Sequence, residues 1–580
     1  MNRIKKVMLV QPKSVGGNFE YLAIPRQGLL FISGALKQWS GPFLYDRDIW
    51  FEDHLGHIDP DKDLNGYDIL MVTALINEVP RAYEIARQAK LHHPELIMIG
   101  GGPHMSPLSD EAIREGSFDV IVNREGEDII GQLSDVLLTS HGTDLDKALF
   151  QIPGISFLRL GQLVQTPRHG VIKPDFVELP DFRSIIGLTD QRPMAGGVIE
   201  TVRGCTEKCT YCQVIQQFLG YRMISREVEQ KRLAQLNELA ADGLIYTNKN
   251  GRFSVFISDD LHTPPLRAVK YRNERLGRLK AWNGQTANMH MICQARAEVG
   301  EDPELASAMM KAGIQMIYLG VESSSAENLK LVRKRQDPGQ VHKDMQALTG
   351  MGFNLVAMTI IGLPYDTREG IMEMADWVRS VSKYQTANLL TPLPATSNWD
   401  LPPLDENGDE LTDGKLRPYH LYTGRQFVFK DPRWTMQESR ELYDKYYAKL
   451  NPVDKLYERV FRLMERKGTA LAGGRPLLDP ALTNKLTEVA VTLRELADSV
   501  GRDLTSNLTA KMQQASEALR SGTESMGELR GHVGLRIQEI SDSLKSMADS
   551  TGKEMATTAS DRLRQLSLSL TRLAESSPRM

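Results

Sequence analysis

Short apolar runs alternate with longer amphipathic stretches over the first 145 residues of the chain. The runs fall at residues 7–10, 43–45, 69–75, 96–99 and 120–122. The stretches between them, such as residues 81–90, carry a polar face, which predicts helices. Continuously apolar strands separated by helices are typical of a parallel sheet covered on both faces. Residues 1–145 are therefore predicted to form an open, doubly wound α/β domain.

A second series of apolar runs begins near residue 191, after a segment at 146–190 that we interpret as a linker with a hairpin of its own. The runs fall at residues 197–202, 253–258, 289–294, 316–320, 355–361 and 387–390. Six strands are too few for a complete eight-stranded barrel. Residues 191–400 are therefore predicted to form a partial α/β barrel.

The rest of the chain changes character twice. Residues 401–475 are polar and aromatic and are predicted to form a helical capping region over the barrel, although ordinary core packing would explain the aromatic residues equally well. They include Tyr419, Tyr422, Phe427, Phe429, Trp434, Tyr443, Tyr446 and Tyr447. Residues 476–580 contain apolar positions at spacings of four and three, namely Leu482, Leu486, Val489, Leu493, Leu496 and Val500. This seam predicts a coiled-coil-like tail suited to self-association.

Composition limits the cellular compartments and the classes of partner that the chain is expected to have. The chain has 70 Lys and Arg against 74 Asp and Glu, a net charge of -4 and a pI of about 6.4, so no overall charge favours nucleic acid. The first apolar run ends at a proline, which indicates a strand and not a signal peptide. No run of about 18 apolar residues occurs. We expect a cytoplasmic protein.

Three of the four cysteines lie in one short loop, within ETVRGCTEKCTYCQV at residues 200–214. Cys205, Cys209 and Cys212 directly follow the first predicted barrel strand, where disulfide geometry is hard to reach. A zinc site usually has four ligands in paired C-x-x-C form and would need Cys293, which is more typical of a buried core thiol. Cysteine thiolates also hold iron-sulfur clusters, and three ligands on a four-iron cube leave one iron open.

The loop resembles that of the radical S-adenosylmethionine (SAM) superfamily, C-x-x-x-C-x-aromatic-C, with Tyr211 as the aromatic residue. The resemblance implies a [4Fe-4S] cluster whose catalytic metal ligands are Cys205, Cys209 and Cys212. It implies that the open iron chelates SAM and that an electron from the cluster cleaves SAM to methionine and a 5'-deoxyadenosyl radical. An electron donor such as flavodoxin or ferredoxin would be a partner.

Four further strand ends match the same superfamily in the expected order: ISDDLH, CQAR, YLGVESSS and IIGLPYDT. Besides Tyr211, the implied SAM-binding residues are Asp259, Asp260, Gln294, Arg296, Glu322, Ser323, Ser324 and Gly362. Taken singly, aspartates also cap helices, and glycine with proline also marks ordinary turns. Their common position after successive strands favours a SAM site, with carboxylates for the ammonium or ribose hydroxyls and Arg296 for the carboxylate.

The N-terminal domain resembles the cobalamin-binding domain of B12-dependent radical SAM enzymes, in which the corrinoid lies between the two domains. The implied cobalamin-binding residues follow the third, fourth and fifth strands: Thr73, Ala74, Gly101, Gly102, Pro103, Glu125 and Gly126. The D-x-H-x-x-G signature that supplies a cobalt ligand is absent. This is compatible with cobalamin bound without a protein ligand and with a domain that has lost cobalamin. His104 is expected to hydrogen-bond locally and not to bind cobalt.

The resemblance implies C-methylation of an unactivated carbon, in which the radical takes a hydrogen atom and methylcobalamin delivers a methyl group. The alternative is oxidative cyclisation or another carbon-carbon rearrangement, as in the similar anaerobic magnesium-protoporphyrin monomethyl ester cyclase. The expected substrate is a small molecule, a lipid or a tetrapyrrole. A non-enzymatic interaction protein that uses the helical tail is disfavoured, because scaffolding would not need the cysteines and the strand-end residues.

Overall fold

A computed structural model of the chain describes residues 3–14, 24–167, 170–282, 284–412 and 414–450. The chain up to Leu450 forms one unit. The predicted helical tail at residues 476–580, with its apolar seam and the self-association inferred from it, lies outside the described residues.

Seven strands of the described chain form the first sheet: β1 (Arg3–Gln11), β2 (Phe43–Phe51), β3 (Ile69–Thr73), β4 (Ile97–Gly101), β5 (Val120–Val122), β6 (Ile155–Arg159) and β7 (Gln162–Gln165). Their order across the sheet is β2-β1-β3-β4-β5-β6-β7. Neighbours from β2 to β5 run parallel, in the 2-1-3-4-5 order of flavodoxin-like doubly wound sheets. The predicted doubly wound N-terminal sheet is confirmed.

Helices cover both faces of this sheet: α1 (Gln27–Gln38), α2 (Glu52–Leu55), α3 (Pro60–Asp63), α4 (Val79–His92), α5 (Gly102–Met105), α6 (Ser109–Gly116), α7 (Ile130–Thr139) and α8 (Gly142–Leu149). Alternate residues of β1 face different helices, because Val7 and Leu9 share a core with α1, and Met8 and Val10 share one with α4. Residues 7–10 of β1 therefore form an unbroken apolar run because both faces of the strand are buried there.

β6 and β7 belong to the first sheet, although the sequence assigns them to the linker. β6 pairs antiparallel with β5, and β7 pairs antiparallel with β6. Ile155 and Phe157 of β6 are buried in the same core as α1. The hairpin lies at the edge of the sheet and is amphipathic, so its sequence lacks the continuous apolar run that identifies the central strands.

Six strands form the second sheet of the described chain: β8 (Gly197–Ile199), β11 (Phe253–Ile257), β12 (Met289–Ala295), β13 (Ile314–Glu322), β14 (Asn354–Ile361) and β15 (Tyr384–Leu389). They follow one another across the sheet in chain order, and all neighbours are parallel. A separate antiparallel pair, β9 (Val202–Arg203) and β10 (Arg222–Met223), follows β8. The α/β class and the partial six-stranded barrel are confirmed.

The helices of this half of the chain are α9 (Val214–Gln217), α10 (Arg226–Ala241), α11 (Val269–Ala281), α12 (Pro303–Lys311), α13 (Ala326–Leu331), α14 (Pro338–Gly350), α15 (Arg368–Val381) and α16 (Met436–Leu450). Several begin at a side-chain cap, as α10 does where Ser225 accepts from the N–H of Val228. One face of the sheet is fully buried against this layer. The other carries half-buried side chains, among them Phe256, Ile292 and Met358.

The aromatic segment before α16 packs into both halves of the molecule. Tyr419 and Tyr422 join the core beneath α4, while Phe427, Phe429 and Tyr446 join the core of the barrel. The simple interpretation of these residues, ordinary packing, therefore accounts for their burial. No helix in the described ranges is both long and apolar enough to cross a membrane.

Candidate functional site

The three clustered cysteines lie in the loop that β9 and β10 enclose. Gly204 has a φ of +82°, and a Cβ on it would lie 2.0 Å from the carbonyl oxygen of Gly220, so only glycine lets the hairpin close here. Cys205, Cys209 and Cys212 follow, all with free thiols. The N–H of Thr210 donates to the carbonyl of Val332 at 3.2 Å, which fastens the loop to the segment after α13.

The donor set of this loop fits a polycationic group. Burial raises the pKa of Cys205 and Cys209, and it raises the pKa of Cys212 to about 12, with mutual repulsion of the thiolates contributing at Cys205 and Cys212. Three thiols that resist ionisation together are stabilised as thiolates only by an added positive group. No three His, Cys, Asp or Glu side chains of the described chain are placed to hold a metal ion between them. The ligands of a four-iron cube each bind a different iron.

Asp259, at the end of β11, holds the start of the cysteine loop. Its carboxylate is fully buried and accepts from the N–H of Thr201 at 2.6 Å, the N–H of Val202 at 2.8 Å and Nδ1 of His262 at 2.7 Å. Burial alone would raise the pKa of Asp259, but these hydrogen bonds and the charge of Arg275 lower it. The chain's own donors occupy both carboxylate oxygens, so a direct contact with SAM stays a prediction and a positioning role is what the geometry gives.

Asp260 faces the cysteines instead. Its carboxylate accepts from the N–H of Gly204 at 3.2 Å. Burial, together with the neighbouring charges of Glu200 and Asp259, raises the pKa of Asp260 to about 7. Asp260 is thus a carboxylate whose charge acts on both Cys205 and Cys212, and it has no ion pair among the described residues.

Glu322 contacts both Tyr211 and a lysine, Lys334, that the sequence analysis missed. Lys334 Nζ lies 2.7 Å from Glu322 Oε1, and its charge also acts on Cys209. Burial opposes the charge of Lys334, but Glu322 outweighs this and raises the lysine pKa. Burial, with the nearby charge of Glu322, raises the pKa of Tyr211. Lys334 lies in a run of basic residues, and no local sequence signal separates it from Arg333 and Arg335.

Arg296 fastens two loops together and does not stand free. Its guanidinium donates to Glu298 Oε1 at 2.6 Å and to the carbonyls of Lys334 and Arg335 at 3.1 and 2.9 Å. It also lies 3.5 Å from Glu207, within the cysteine loop. The contact of Arg296 with the SAM carboxylate stays a prediction, and Lys334 is a second cation, whose charge acts on Cys209. Gln294 is half-buried on the open face of the sheet.

The last two predicted SAM loops are joined through Asn328. The Asn328 amide donates to Ser323 Oγ at 3.4 Å and to Asp366 Oδ1 at 2.7 Å, and Asp366 accepts from the N–H of Gly362 at 2.8 Å. Gly362 has a φ of +89°, and a Cβ on it would lie 2.4 Å from the ring of Phe427. Ser324 is half-buried beside Ser323. The structure therefore brings the ends of β13 and β14 together.

The predicted cobalamin-binding residues after β3 and β4 adjoin each other. Gly102 has a φ of +91°, and a Cβ on it would lie 2.2 Å from Thr73 Oγ1, so the two loops touch only because residue 102 is glycine. Gly101 ends β4 beside them, and Ala74 is buried behind Thr73. Small residues at the carboxyl edge of a doubly wound sheet suit a flat ligand.

Gln213 links this edge to the barrel. The Gln213 side-chain amide, directly after Cys212, donates to the carbonyl of Pro103 at 2.6 Å and to the carbonyl of Pro394 at 3.0 Å. Pro103 follows Gly102, and Pro394 lies beyond β15. The cysteine loop therefore touches the loop after β4 and the loop after β15 through one side chain.

Glu125 is bound by two arginines of the cysteine hairpin. Arg203 Nη1 lies 2.9 Å from Glu125 Oε1 and 2.7 Å from Glu127 Oε1, and Arg222 Nη2 lies 3.0 Å from Glu125 Oε2. Arg203 and Arg222 are paired across β9 and β10. Gly126 packs against Val122, whose side chain a Cβ would approach to 2.7 Å. A cobalamin contact of Glu125 and Gly126 stays a prediction, whereas the ion pairs give Glu125 an interdomain role.

His104 and Cys293 lie where a locally hydrogen-bonded histidine and a buried core thiol are expected. His104 is buried in α5, with Nε2 at 3.4 Å from Glu111 Oε1 and its ring edge-on to Tyr419. Burial lowers the pKa of His104. Cys293 is fully buried in β12 among apolar residues, on the face opposite Gln294, and burial raises its pKa. It therefore lies on the wrong face of the sheet to complete a four-cysteine site.

Comparison with known proteins bears on this site. Residues 199–378 match the model of the radical SAM superfamily. An uncharacterized methyltransferase of Pyrococcus horikoshii is 24% identical over 69% of this chain and 83% of its own. The hopanoid C-3 methylase of Methylococcus capsulatus is 24% identical over 68% of this chain and 72% of its own. An anaerobic magnesium-protoporphyrin IX monomethyl ester cyclase of Rubrivivax gelatinosus is 23% identical over 61% of both chains.

Solved structures share the fold. The radical SAM methyltransferase TsrM from Kitasatospora setae, solved with cobalamin and a [4Fe-4S] cluster, aligns with a TM-score of 0.52 at 16% identity over 68% of this chain and 77% of its own. The cobalamin-dependent radical SAM enzyme OxsB, solved with aqua-cobalamin and SAM, aligns with a TM-score of 0.53 at 15% identity over 99% of this chain and 80% of its own. At such identities the likeness establishes the arrangement of the two sheets and not the chemistry.

Proposed function

We propose that the chain, whose residues 199–378 match the radical SAM superfamily, is a cobalamin-dependent enzyme that methylates an unactivated carbon. The observation that carries the proposal is the position of the cysteine loop, which the chain holds against both the barrel strand ends and the loops of the doubly wound sheet. In such enzymes the cofactors carry the difficult chemistry, and the protein binds, orients and shields them.

We assign the cluster to Cys205, Cys209 and Cys212. With SAM and cobalamin bound, the cofactors would supply a hydrogen-abstracting radical and a transferable methyl group. Lys334, an ammonium beside Cys209, would attract the SAM carboxylate, and Asp260 would attract its ammonium. Glu322 keeps Lys334 charged, and Tyr211 closes the space between Glu322 and Cys209.

We assign cobalamin to the edge formed by Thr73, Gly101 and Gly102, next to Pro103. Gln213 would then hold the cobalamin edge at a fixed separation from Cys212. Residues 1–145 would be the corrinoid domain and residues 191–400 the SAM domain, and Tyr419, Tyr422 and Phe427 of the segment that follows pack into the cores of both. A fixed arrangement of the two sites would suit methyl transfer to a substrate held between them, because transfer depends on a near-attack geometry.

An apolar substrate is favoured by the half-buried face of the second sheet. Phe256 of β11 lies opposite Ile292 of β12 in the register, and Gly320 of β13 lies opposite Met358 of β14. Other half-buried positions of β11–β15 carry uncharged polar side chains such as Gln294 and Asn388, and none carries Asp, Glu, Lys or Arg. Such a face suits a lipid or a flat ring system better than a charged metabolite. The hopanoid methylase relative acts on a substrate of this kind by its name.

Oxidative cyclisation is the second candidate, because the cyclase of Rubrivivax gelatinosus matches the chain over a similar span. The two reactions differ in the fate of the SAM methyl group. Methylation places that methyl group in the product, whereas cyclisation leaves it in methionine.

The test is anaerobic reconstitution of the full chain with iron, sulfide and hydroxocobalamin, followed by removal of unbound corrinoid. About four iron atoms and about one cobalt per chain, with 5'-deoxyadenosine formed after reduction, are expected. Methyl-labelled SAM supplied with candidate apolar substrates then separates methylation from cyclisation. A cluster without cobalt would remove methyl transfer from cobalamin and leave hydrogen abstraction alone.

The cysteines offer a matched control for that test. Replacing Cys205, Cys209 and Cys212 together by Ala is expected to abolish the visible iron-sulfur absorbance and all SAM cleavage, because thiolates hold the cluster. Cys293→Ala removes the remaining thiol and is expected to leave iron content unchanged. A cluster that survives in the triple variant contradicts the assignment.

A further inference from the structure

Four exposed cations without an ion pair among the described residues lie around the outside of the cysteine loop. They are Lys208, Lys330, Arg333 and Arg335, and we call them the basic rim. Lys208 lies between Cys205 and Cys209 in sequence. Arg267, about half exposed, flanks the rim through its ion pair with Glu207. Unpaired like charges on one surface repel each other, so their presence together needs an explanation.

Backbone hydrogen bonds join the two segments that carry the rim cations. The N–H of Thr210, two residues after Lys208, donates to the carbonyl of Val332 at 3.2 Å. Val332 precedes Arg333, whose own N–H donates to the carbonyl of Lys330 at 3.1 Å. The rim cations therefore lie beside the loop that carries the cysteines and not on a distant part of the barrel.

Two of the rim residues have a strained backbone conformation. Arg333 and Arg335 have φ values of +57° and +53°, a left-handed conformation that non-glycine residues rarely adopt. With this backbone, Lys334 points inward to Glu322, whereas the side chains of Arg333 and Arg335 stay exposed. Arg296 holds this conformation by donating to the carbonyls of Lys334 and Arg335.

The acidic groups beside the rim already have partners. Glu207 is buried and pairs with Arg267 and Arg296, and Glu298 pairs with Arg296 at 2.6 Å. Asp337 caps α14 through the N–H of Gln340 and Glu327 accepts from Ser325 Oγ at 3.0 Å, so these two exposed carboxylates offset two of the four rim charges and leave a net positive charge. The rim is therefore positive on a chain whose net charge is -4, which points to a local anionic partner.

We propose that the basic rim is the docking surface for an acidic one-electron carrier protein. The proposal rests on the proposed function, in which each cleavage of SAM consumes one electron. The carrier would be oxidised by one electron and the cluster reduced by one. Complementary charge steers a carrier to the cluster and places it next to the cysteine loop, where electron transfer is fastest because the distance is shortest.

The test compares two reductants on the reconstituted full chain. Titanium(III) citrate is a small reductant that needs no docking surface, and reduced flavodoxin serves as the acidic carrier. The double variant Arg333→Gln, Arg335→Gln keeps side-chain length and removes two charges from the rim. With titanium(III) citrate it is expected to cleave SAM within about twofold of the wild-type rate. The flavodoxin concentration for half-maximal cleavage is expected to rise about tenfold, because surface charges of this kind act on association.

Lys249→Gln with Arg252→Gln is the matched control. Both residues are exposed near the amino end of β11, away from the loops at the carboxyl ends of the strands. This variant is expected to match wild type with both reductants. An unchanged flavodoxin dependence in the rim variant overturns the proposal, and so does an equal loss with both reductants, which would place the arginines in the SAM site. Wild-type protein that cleaves no SAM with titanium(III) citrate would instead contradict the proposed function.

Discussion

Gly320 shows how a single residue controls the candidate SAM site. It lies in β13, and a Cβ there would lie 2.4 Å from Glu322 Oε1 and 2.6 Å from Lys334 Nζ. Both distances are shorter than any relaxed contact, so Gly320→Ala must displace the ion pair. We expect the variant to bind SAM at least about tenfold more weakly, or about 1.4 kcal/mol, as measured by calorimetry on the reconstituted protein.

Gly350→Ala is the control for that substitution. Gly350 ends α14, and a Cβ on it meets nothing within 4 Å. Alanine is favoured over glycine in helices, so this variant should fold and bind SAM as the wild type does. Wild-type SAM affinity in Gly320→Ala would show that the Lys334 and Glu322 pair does not contact SAM.

His262 gives the protein a pH-dependent stability. Burial, with the charge of Arg275, lowers the pKa of His262 from 6.5 to about 4. Between these values the unfolded chain binds a proton that the folded chain does not, so the free energy of unfolding falls as the pH is lowered through this window. When the group titrates completely, a pKa difference of this size changes the free energy of unfolding by about 3 kcal/mol.

The variant His262→Asn tests this contribution, because asparagine cannot titrate but can still donate to Asp259. We expect its urea midpoint to change less between pH 7.5 and about pH 5 than that of the wild type, in cluster-free protein under reducing conditions. The smaller side chain lowers stability at both pH values, so the comparison is between slopes. His420→Asn, at an exposed position, should keep the wild-type slope. An equal slope in His262→Asn would contradict the prediction.

Among the elements, the β9 and β10 hairpin joins the cysteine loop to the doubly wound sheet. Arg203 is buried between the carboxylates of Glu125, Glu127 and Glu200. Removing one partner of a buried ion pair leaves charge uncompensated and typically costs about 3 to 5 kcal/mol. Arg203→Met is therefore expected to lower the denaturation midpoint strongly and to reduce iron incorporation.

Arg226→Met is the matched substitution on the surface. Arg226 pairs with Glu274, and both side chains are substantially exposed. Such pairs contribute about 0 to 1 kcal/mol, so this variant should retain the wild-type midpoint and iron content. Similar losses in the two variants would mean that the hairpin ion pairs do not support the loop.

The sequence predicted the elements whose environment is uniform. Strands buried on both faces, such as β1 and β5, stand out as apolar runs, and the cysteine loop stands out by spacing. The β6 and β7 hairpin was assigned to the linker because an edge hairpin is buried on one face only. Lys334 was missed because its role depends on a left-handed backbone at Arg333 and Arg335. The local sequence pattern could not distinguish the roles of Asp259 and Asp260 either. Only the fold shows which of the two carboxylates already accepts hydrogen bonds from the segment before the cysteines.

Across the whole molecule, the two sheets place their carboxyl edges on either side of one loop. Gln217 donates to the carbonyl of Arg124 at 2.9 Å, and Gln213 donates to the carbonyl of Pro103 at 2.6 Å. The loop therefore contacts the segments after β4 and after β5, and through Pro394 also the end of the barrel. In the proposed reaction, radical formation needs the barrel alone, whereas methyl transfer needs both halves in register.

Gln213→Ala separates these two requirements. It removes one hydrogen bond between the halves, to Pro103, and one within the barrel half, to Pro394, each worth about 0.5 to 1.5 kcal/mol, without touching a cysteine. We expect SAM cleavage to continue while the methylated product formed per 5'-deoxyadenosine falls several-fold, measured by quantifying both products in one reaction. Gln216→Ala, at an exposed position of α9, should keep the wild-type ratio. If cleavage and methylation fall together in Gln213→Ala, the residue supports the cluster loop and does not set the distance between the two cofactor sites.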